Sequence, residues 1–111
     1  MPEGPVRATA DDLDSIVSLA DACFLRDRDS GGMRARWPHC YTEEPGRIHA
    51  FLMKEGRRAI SMVAYADQIV DVAGKPVRIA GVTGVCTLPE YRGKGFMSAL
   101  LNRSIQDMTA R

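Results

Sequence analysis

The residues best suited to chemistry lie together in Val85–Ser98, which reads V-C-T-L-P-E-Y-R-G-K-G-F-M-S. Arg92 and Lys94 are cations, and Gly93 and Gly95 alternate with them. Glycine lets a backbone approach a ligand closely and take positive φ. A helix that opens after Gly95 presents first-turn N–H groups without intrahelical partners, and its dipole adds positive charge there. Cations, permissive backbone and a helix start together make an anion cradle suited to phosphate. Spacing excludes two familiar phosphate loops. A nucleoside-triphosphatase loop needs glycine where Leu88 stands and Ser or Thr where Gly95 stands. A dinucleotide fingerprint starting at Gly93 fails at Ser98, and the strands before it read as antiparallel.

Other reactive side chains have plainer readings beside the sharp ones. Cys86, in a strand, is read as packing rather than as a nucleophile. His39-Cys40 has no second pair at ligand spacing, so it is read as a loop pair and no metal is expected. His49 and Tyr65 either face a pocket for a second substrate or sit on a solvated strand face; the latter is the simpler reading. Glu90 stands beside the turn as a possible base or a solvated acid. Arg26, Arg28, Arg34 and Arg36 with Trp37 look like a nucleic-acid patch, but Asp27 and Asp29 offset that charge, so a solvated helix edge is expected.

The elements that must position the turn follow from periodicity. Pro5 to Thr9 is an extended lead-in, and Thr9 with Asp12 has the spacing of a capping box. Leu13, Ile16, Val17, Ala20, Cys23 and Phe24 recur at helical spacing, which predicts an amphipathic helix over Asp11 to Leu25. Met33 to Cys40 is expected as a short helix limited by Pro38, and Thr42 to Gly46 as a loop. The period then becomes two, with Ile48, Ala50 and Leu52 on one face and His49, Phe51 and Met53 on the other. Glu55-Gly56 is a turn, and Arg57 to Asp71 a strand with one twist or bulge. Ala73 to Pro76 is a turn, and Val77 to Thr87 a strand; the three strands make an antiparallel meander. Gly81 and Gly84 mark a bulge or a close approach in that last strand. A helix over Gly95 to about Ala110 is predicted to bury Met97, Leu100, Leu101, Ile105 and Met108.

Composition bounds the rest. The chain has 111 residues, 45% apolar and 26% charged, with fifteen basic and fourteen acidic side chains and a formal charge of +1. That is one domain's worth of chain with one core. It lacks the basic excess of a nucleic-acid binder, and its seven aromatics (three Phe, three Tyr, one Trp) argue against an RNA-binding sheet. Three scattered cysteines give no disulfide framework. The N-terminus has no apolar run, and no stretch is long and apolar enough for a membrane span. The expectation is a cytoplasmic protein with no nucleic-acid or membrane partner.

Arg92-Gly93-Lys94-Gly95-Phe96-Met97 resembles the acetyl-coenzyme A loop of the GCN5-related N-acetyltransferases (GNAT), written [Q/R]-x-x-G-x-[G/A]. Arg92 and Gly95 match, and Met97 departs from the small residue expected last. Gly84 to Tyr91 resembles the strand that leads into that loop, and Val6-Arg7-Ala8-Thr9 with its acidic helix resembles the family's opening. Within the superfamily, the Gly-Val-x-Thr-x-Pro-Glu-Tyr-Arg-Gly-x-Gly-x-Met run from Gly84 to Met97 resembles the N-terminal region of proteins of the enhanced-intracellular-survival type. The resemblance implies an α/β (α+β) fold: a mixed, mainly antiparallel sheet flanked by helices. Residues 1–111 would be the N-terminal, acetyl-coenzyme A-binding part of a single domain, incomplete at its C-terminus. It implies that Val85, Cys86 and Thr87 hold the pantetheine arm through backbone groups. The pyrophosphate would sit on Arg92, Gly93, Lys94, Gly95, Phe96 and Met97, with the Met97 side chain turned into the core. Acetyl-coenzyme A would be the co-substrate and a small-molecule or peptide amine the acceptor. The family's general acid falls beyond Arg111, so no catalytic residue is assigned, and the chain alone is expected to be inactive. A non-catalytic coenzyme A-binding or oligomerisation module is the alternative. The last strand's open edge leads us to expect a homo-oligomer.

Overall fold

A computed structural model of the chain describes residues 2–24 and 48–110. The expected Met33–Cys40 helix, the Thr42–Gly46 loop, the arginine cluster and His39-Cys40 lie outside the described residues. Strand β1 spans Glu3–Arg7, and a short 3-10 turn over Ala10–Asp12 leads into helix α1, Leu13–Phe24. Strands β2 (Ile48–Glu55), β3 (Arg58–Val72) and β4 (Lys75–Thr87) follow. A second 3-10 turn, Pro89–Tyr91, precedes helix α2, Phe96–Ala110. The strands form one sheet in the order β1-β2-β3-β4, antiparallel throughout.

The helix start at Thr9 is built as its spacing predicts. The Thr9 N–H donates to Asp12 Oδ2 at 2.9 Å, and Asp12 Oδ1 accepts from Lys54 Nζ of β2 at 2.7 Å. The first turn is 3-10 rather than α, so the α-helix begins at Leu13, two residues later than the periodicity suggests. Leu13, Ile16, Leu19 and Ala20 are its buried stripe.

Both faces of β2 and β3 are buried at one end of the sheet, which corrects the reading of His49 and Tyr65 as residues of a solvated strand face. Residues 59 to 65 of β3 are all buried, as are His49 to Met53 of β2. Helices cover both faces at this end of the sheet. Ala59 N–H donates to Ser15 Oγ of α1 at 2.7 Å, whereas the Tyr65 hydroxyl donates to Asp107 of α2. Successive side chains point to opposite faces. Phe51, Val63 and Tyr65 therefore lie under α2, while Leu52, Met62 and Cys86 lie against α1. Full burial of such apolar side chains contributes roughly 1.5–3 kcal/mol each, which makes this double-sided patch the core.

Two irregularities shape the sheet. Met53 pairs Ser61 while Lys54 pairs Ala59, so β3 carries one extra residue at Ile60, the bulge expected in that strand. Met62 pairs Cys86 while Ala64 pairs Thr83, so β4 carries one extra residue at Gly84–Val85. Gly84 sits at φ +63°, the left-handed conformation that a glycine-first bulge requires. Gly81, by contrast, stands in regular register opposite Ala66.

The hairpin turn is tighter than expected. Ala73 and Gly74 alone close it, both at positive φ, so β4 starts at Lys75 rather than Val77. The α2 stripe is also corrected. Leu100, Ser104 and Asp107 are buried, with Met97 and Met108 packed beside them. Leu101 and Ile105 are exposed, at 39% and 50%; they lie one position off the seam, facing away from the sheet.

Candidate functional site

The end of β4 is fixed to β3 by side chains as well as by the ladder. Ser61, fully buried, hydrogen-bonds Thr87 Oγ1 at 2.7 Å and donates to the Cys86 carbonyl at 3.3 Å. Leu88 N–H donates to the Ile60 carbonyl at 2.9 Å, at the residue that β3 bulges. Strand β4 therefore ends on a rigid support. Pro89, with its fixed φ, starts the 3-10 turn that follows, and Arg92 N–H closes that turn on Pro89 O.

The turn from Arg92 to Gly95 then redirects the chain into α2. Gly93 and Gly95 take φ +79° and +80°. A Cβ built at either would meet nothing within 4 Å. Their role is thus conformational, and open space lies beside both. Ala99 N–H donates to Gly95 O, the first helical bond of α2, so the N–H groups before it are free of intrahelical partners. Residues 92–95 are exposed. This combination suits a phosphate-bearing ligand: room at two backbone positions, and orphan donors at a 15-residue helix's positive end.

The sequence-predicted residues do not all stand in the same relation to that space. Lys94 is exposed, with its ammonium 5.9 Å from the Tyr91 ring centroid. Arg92 donates from Nε to the Thr87 carbonyl at 3.1 Å, so its side chain clamps the turn onto β4. The Cys86 and Thr87 carbonyls thus already accept from Ser61 and Arg92. Val85 is exposed at the bulge; Phe96 and Met97 pack against the core. Cys86 is buried, and burial first, then the neighbouring Cys23, pushes its thiol up, with Arg92 opposing. A thiol held protonated is a poor nucleophile, in agreement with the packing reading. Glu90 is exposed, 3.9 Å from Arg58. No cluster of potential metal ligands exists among the described residues.

His49 and Tyr65 are buried, which corrects the solvated-face reading. Their rings stack at a centroid distance of 4.9 Å, and His49 Nε2 lies 3.0 Å from Asp67 Oδ2. Arg78 approaches the same carboxylate at 3.4 Å. Beneath α2, Asp107 accepts from both Arg7 of β1 and the Tyr65 hydroxyl. Arg7 and Arg103 also stand over the Phe51 ring, at 4.8 and 4.6 Å from its centroid. This network escaped the sequence reading. Its signal was present: Asp107 falls three residues after Ser104 and seven after Leu100, on the buried stripe, where an acid breaks the apolar pattern.

Comparison with known proteins agrees with this architecture. Residues 6–111 match the family model described as an acetyltransferase (GNAT) domain. No curated protein matches the chain significantly. Among solved structures, a conserved protein from Enterococcus faecalis V583, described as a probable N-acyltransferase, superposes with a TM-score of 0.76 at 18% identity over 99% of the chain. The chain spans 26% of that protein's length. A predicted acetyltransferase from Clostridium acetobutylicum, solved with acetyl-CoA, gives 0.71 at 18% identity, covering 100% of the chain and 75% of its own. The acetyltransferase from Vibrio fischeri gives 0.68 at 19% identity, covering 99% and 87%. At these identities the likeness is one of fold. The match across almost the whole sequence, on a four-stranded antiparallel sheet whose last strand turns through two glycines into a helix, shows that the chain belongs to the GNAT acetyltransferase domain family.

Proposed function

We propose that the chain is the donor-binding, N-terminal part of a single acetyltransferase domain that moves an acetyl group from acetyl-coenzyme A to a primary amine. The observation that carries this is the bulged end of β4 running into the Gly93–Gly95 turn and the open N-terminus of α2. In this reading Val85, Cys86 and Thr87 line the pantetheine arm. The turn from Arg92 to Met97 takes the pyrophosphate on backbone N–H groups, with Arg92 clamping the turn and Lys94 adding charge. Acetyl-coenzyme A supplies an activated thioester; the chain's part is to bind and orient it. The acceptor, a small molecule or a peptide amine, is proposed at the level of its amine alone. The likeness of residues 84–97 to proteins of the enhanced-intracellular-survival type supports a place in that subfamily.

Among the described residues β4 is the edge of the sheet, so these elements supply one wall of the donor cleft. With one wall, donor binding without turnover is the expected behaviour of this chain alone. The same open edge supports self-association by strand pairing. Sedimentation is expected to give a mass that rises with concentration, and a monomer at every concentration would rule self-association out.

Isothermal titration with acetyl-coenzyme A tests the donor site. Binding is expected, and Gly95→Val should weaken it at least tenfold. The variant forces a β-branched residue to φ +80° and places its side chain in the space beside the turn. A folded chain that binds no donor, or a variant that binds as well as the parent, would overturn the assignment.

A further inference from the structure

We propose that Arg58, at the start of β3, reads the 3′-phosphate of the donor's coenzyme A and so selects the intact carrier over its 3′-dephosphorylated form. This rests on the donor-site reading above. Coenzyme A carries two kinds of phosphate. Its pyrophosphate is a linked diester, and backbone N–H groups at a helix start suit it. Its 3′-phosphate is a monoester with a charge of about −1.5 to −2 and three acceptor oxygens. A planar guanidinium fork matches that group better than a backbone turn does.

The turn's own cations are already engaged. Arg92 donates to the Thr87 carbonyl, and the Lys94 ammonium stands 5.9 Å from the Tyr91 ring centroid. Arg58 enters from the neighbouring hairpin. It is the cross-strand partner of Glu55, at the close of the β2–β3 turn. Leu88 N–H donates to the Ile60 carbonyl, which holds this end of β3 beside the Pro89–Tyr91 turn. The Arg58 guanidinium then lies 3.9 Å from a Glu90 carboxylate oxygen. Glu90 is two residues before Arg92, at most ~7 Å of backbone. Arg58 therefore stands at the rim of the donor turn. Its pair with Glu90 yields readily: the side chains are 63% and 57% exposed, and their separation exceeds a hydrogen bond. Such a surface pair is worth little. It keeps the guanidinium at the turn, and a phosphate monoester offers more charge and a bidentate contact in its place.

Isothermal titration of the full chain with acetyl-coenzyme A and with its 3′-dephospho form tests this. The parent should bind the 3′-phosphorylated donor about tenfold tighter, the scale of one charge-assisted hydrogen bond. Arg58→Met should erase that margin, weakening acetyl-coenzyme A about tenfold and leaving the dephospho form within about twofold of the parent. Unchanged dephospho binding would also report a folded variant. Arg57→Met removes the same charge one position earlier and should keep the margin. A parent that binds both donors alike would overturn the proposal, and so would an Arg58→Met chain that keeps the margin or weakens both donors equally. Equal losses in Arg57→Met and Arg58→Met would overturn it too, because the effect would then be diffuse charge. A parent that binds neither donor would remove the donor site itself, and this subsite with it.

Discussion

Asp12 does two jobs with one carboxylate: it caps the entry to α1 through Thr9 and ties that entry to β2 through Lys54. Burial alone would raise its pKa. The Lys54 hydrogen bond and the Thr9 N–H outweigh burial and hold it below its ordinary 3.8. A depressed folded-state pKa gives stability that is present above the unfolded value and is lost as pH falls through the folded one. Lys54→Met should therefore lower the urea midpoint at neutral pH. The gap to the parent should close as pH drops below about 3.8, where Asp12 protonates in both chains. A gap constant with pH would mean that Lys54 acts through packing, not through Asp12. Such a contact was half visible in the sequence: Thr9-x-x-Asp12 announced the cap. Lys54 did not announce itself, because the register that brings β2 to the start of α1 is a property of the sheet.

Strand β4 shows what an element adds to its residues. Two glycines three positions apart read alike in sequence, both as candidates for a bulge. The structure separates them. Gly84 takes φ +63°, and a Cβ there would come within 2.8 Å of the Met62 methyl. Gly81 has nothing nearer than the Gln68 side chain at 4.0 Å. Gly84→Ala should cost about 1–2 kcal/mol for the left-handed backbone, with more if Met62 cannot yield. Gly81→Ala should be neutral or stabilise by up to ~1 kcal/mol through the unfolded chain. Denaturant unfolding of the two variants checks the contrast, and equal costs would refute it. Among the described residues strand and helix existence is legible, since period and turn residues carry it: the Glu55-Gly56 and Ala73-Gly74 turns and the start of α2 fall within two residues of expectation. Which faces were wet was not legible. Alternation in Ile48 to Met53 predicts sidedness only when a single layer covers the strand, and here α1 and α2 cover both faces. In α2 the seam runs through Leu100, Ser104 and Asp107, one position from Leu101 and Ile105, so apolar spacing alone does not show that Asp107 faces the sheet.

At the scale of the molecule the two ends of the sheet differ. One end is packed on both faces by helices. At the other, residues 71–80 of the β3–β4 hairpin are all exposed, Val72, Val77 and Ile79 among them. Periodicity predicted that hairpin but carried no information on its projection beyond the core, because burial depends on what packs there. The packed end has its own long-range fastening, in which Arg7 donates to Asp107 across a hundred positions of sequence. That separation sets an order of events during synthesis. The first strand emerges with no Asp107 carboxylate to meet, since Asp107 is made a hundred residues later. Strands β2 to β4 can pair in the meantime through nearby turns, so β1 is the piece that waits. Contacts made after the rate-limiting step slow unfolding without speeding folding. Arg7→Met should then raise the unfolding rate and leave the refolding rate nearly unchanged in stopped-flow mixing. A slowed refolding limb would instead put the first strand in the folding nucleus, where chain order on the ribosome would have to be reckoned with from the start.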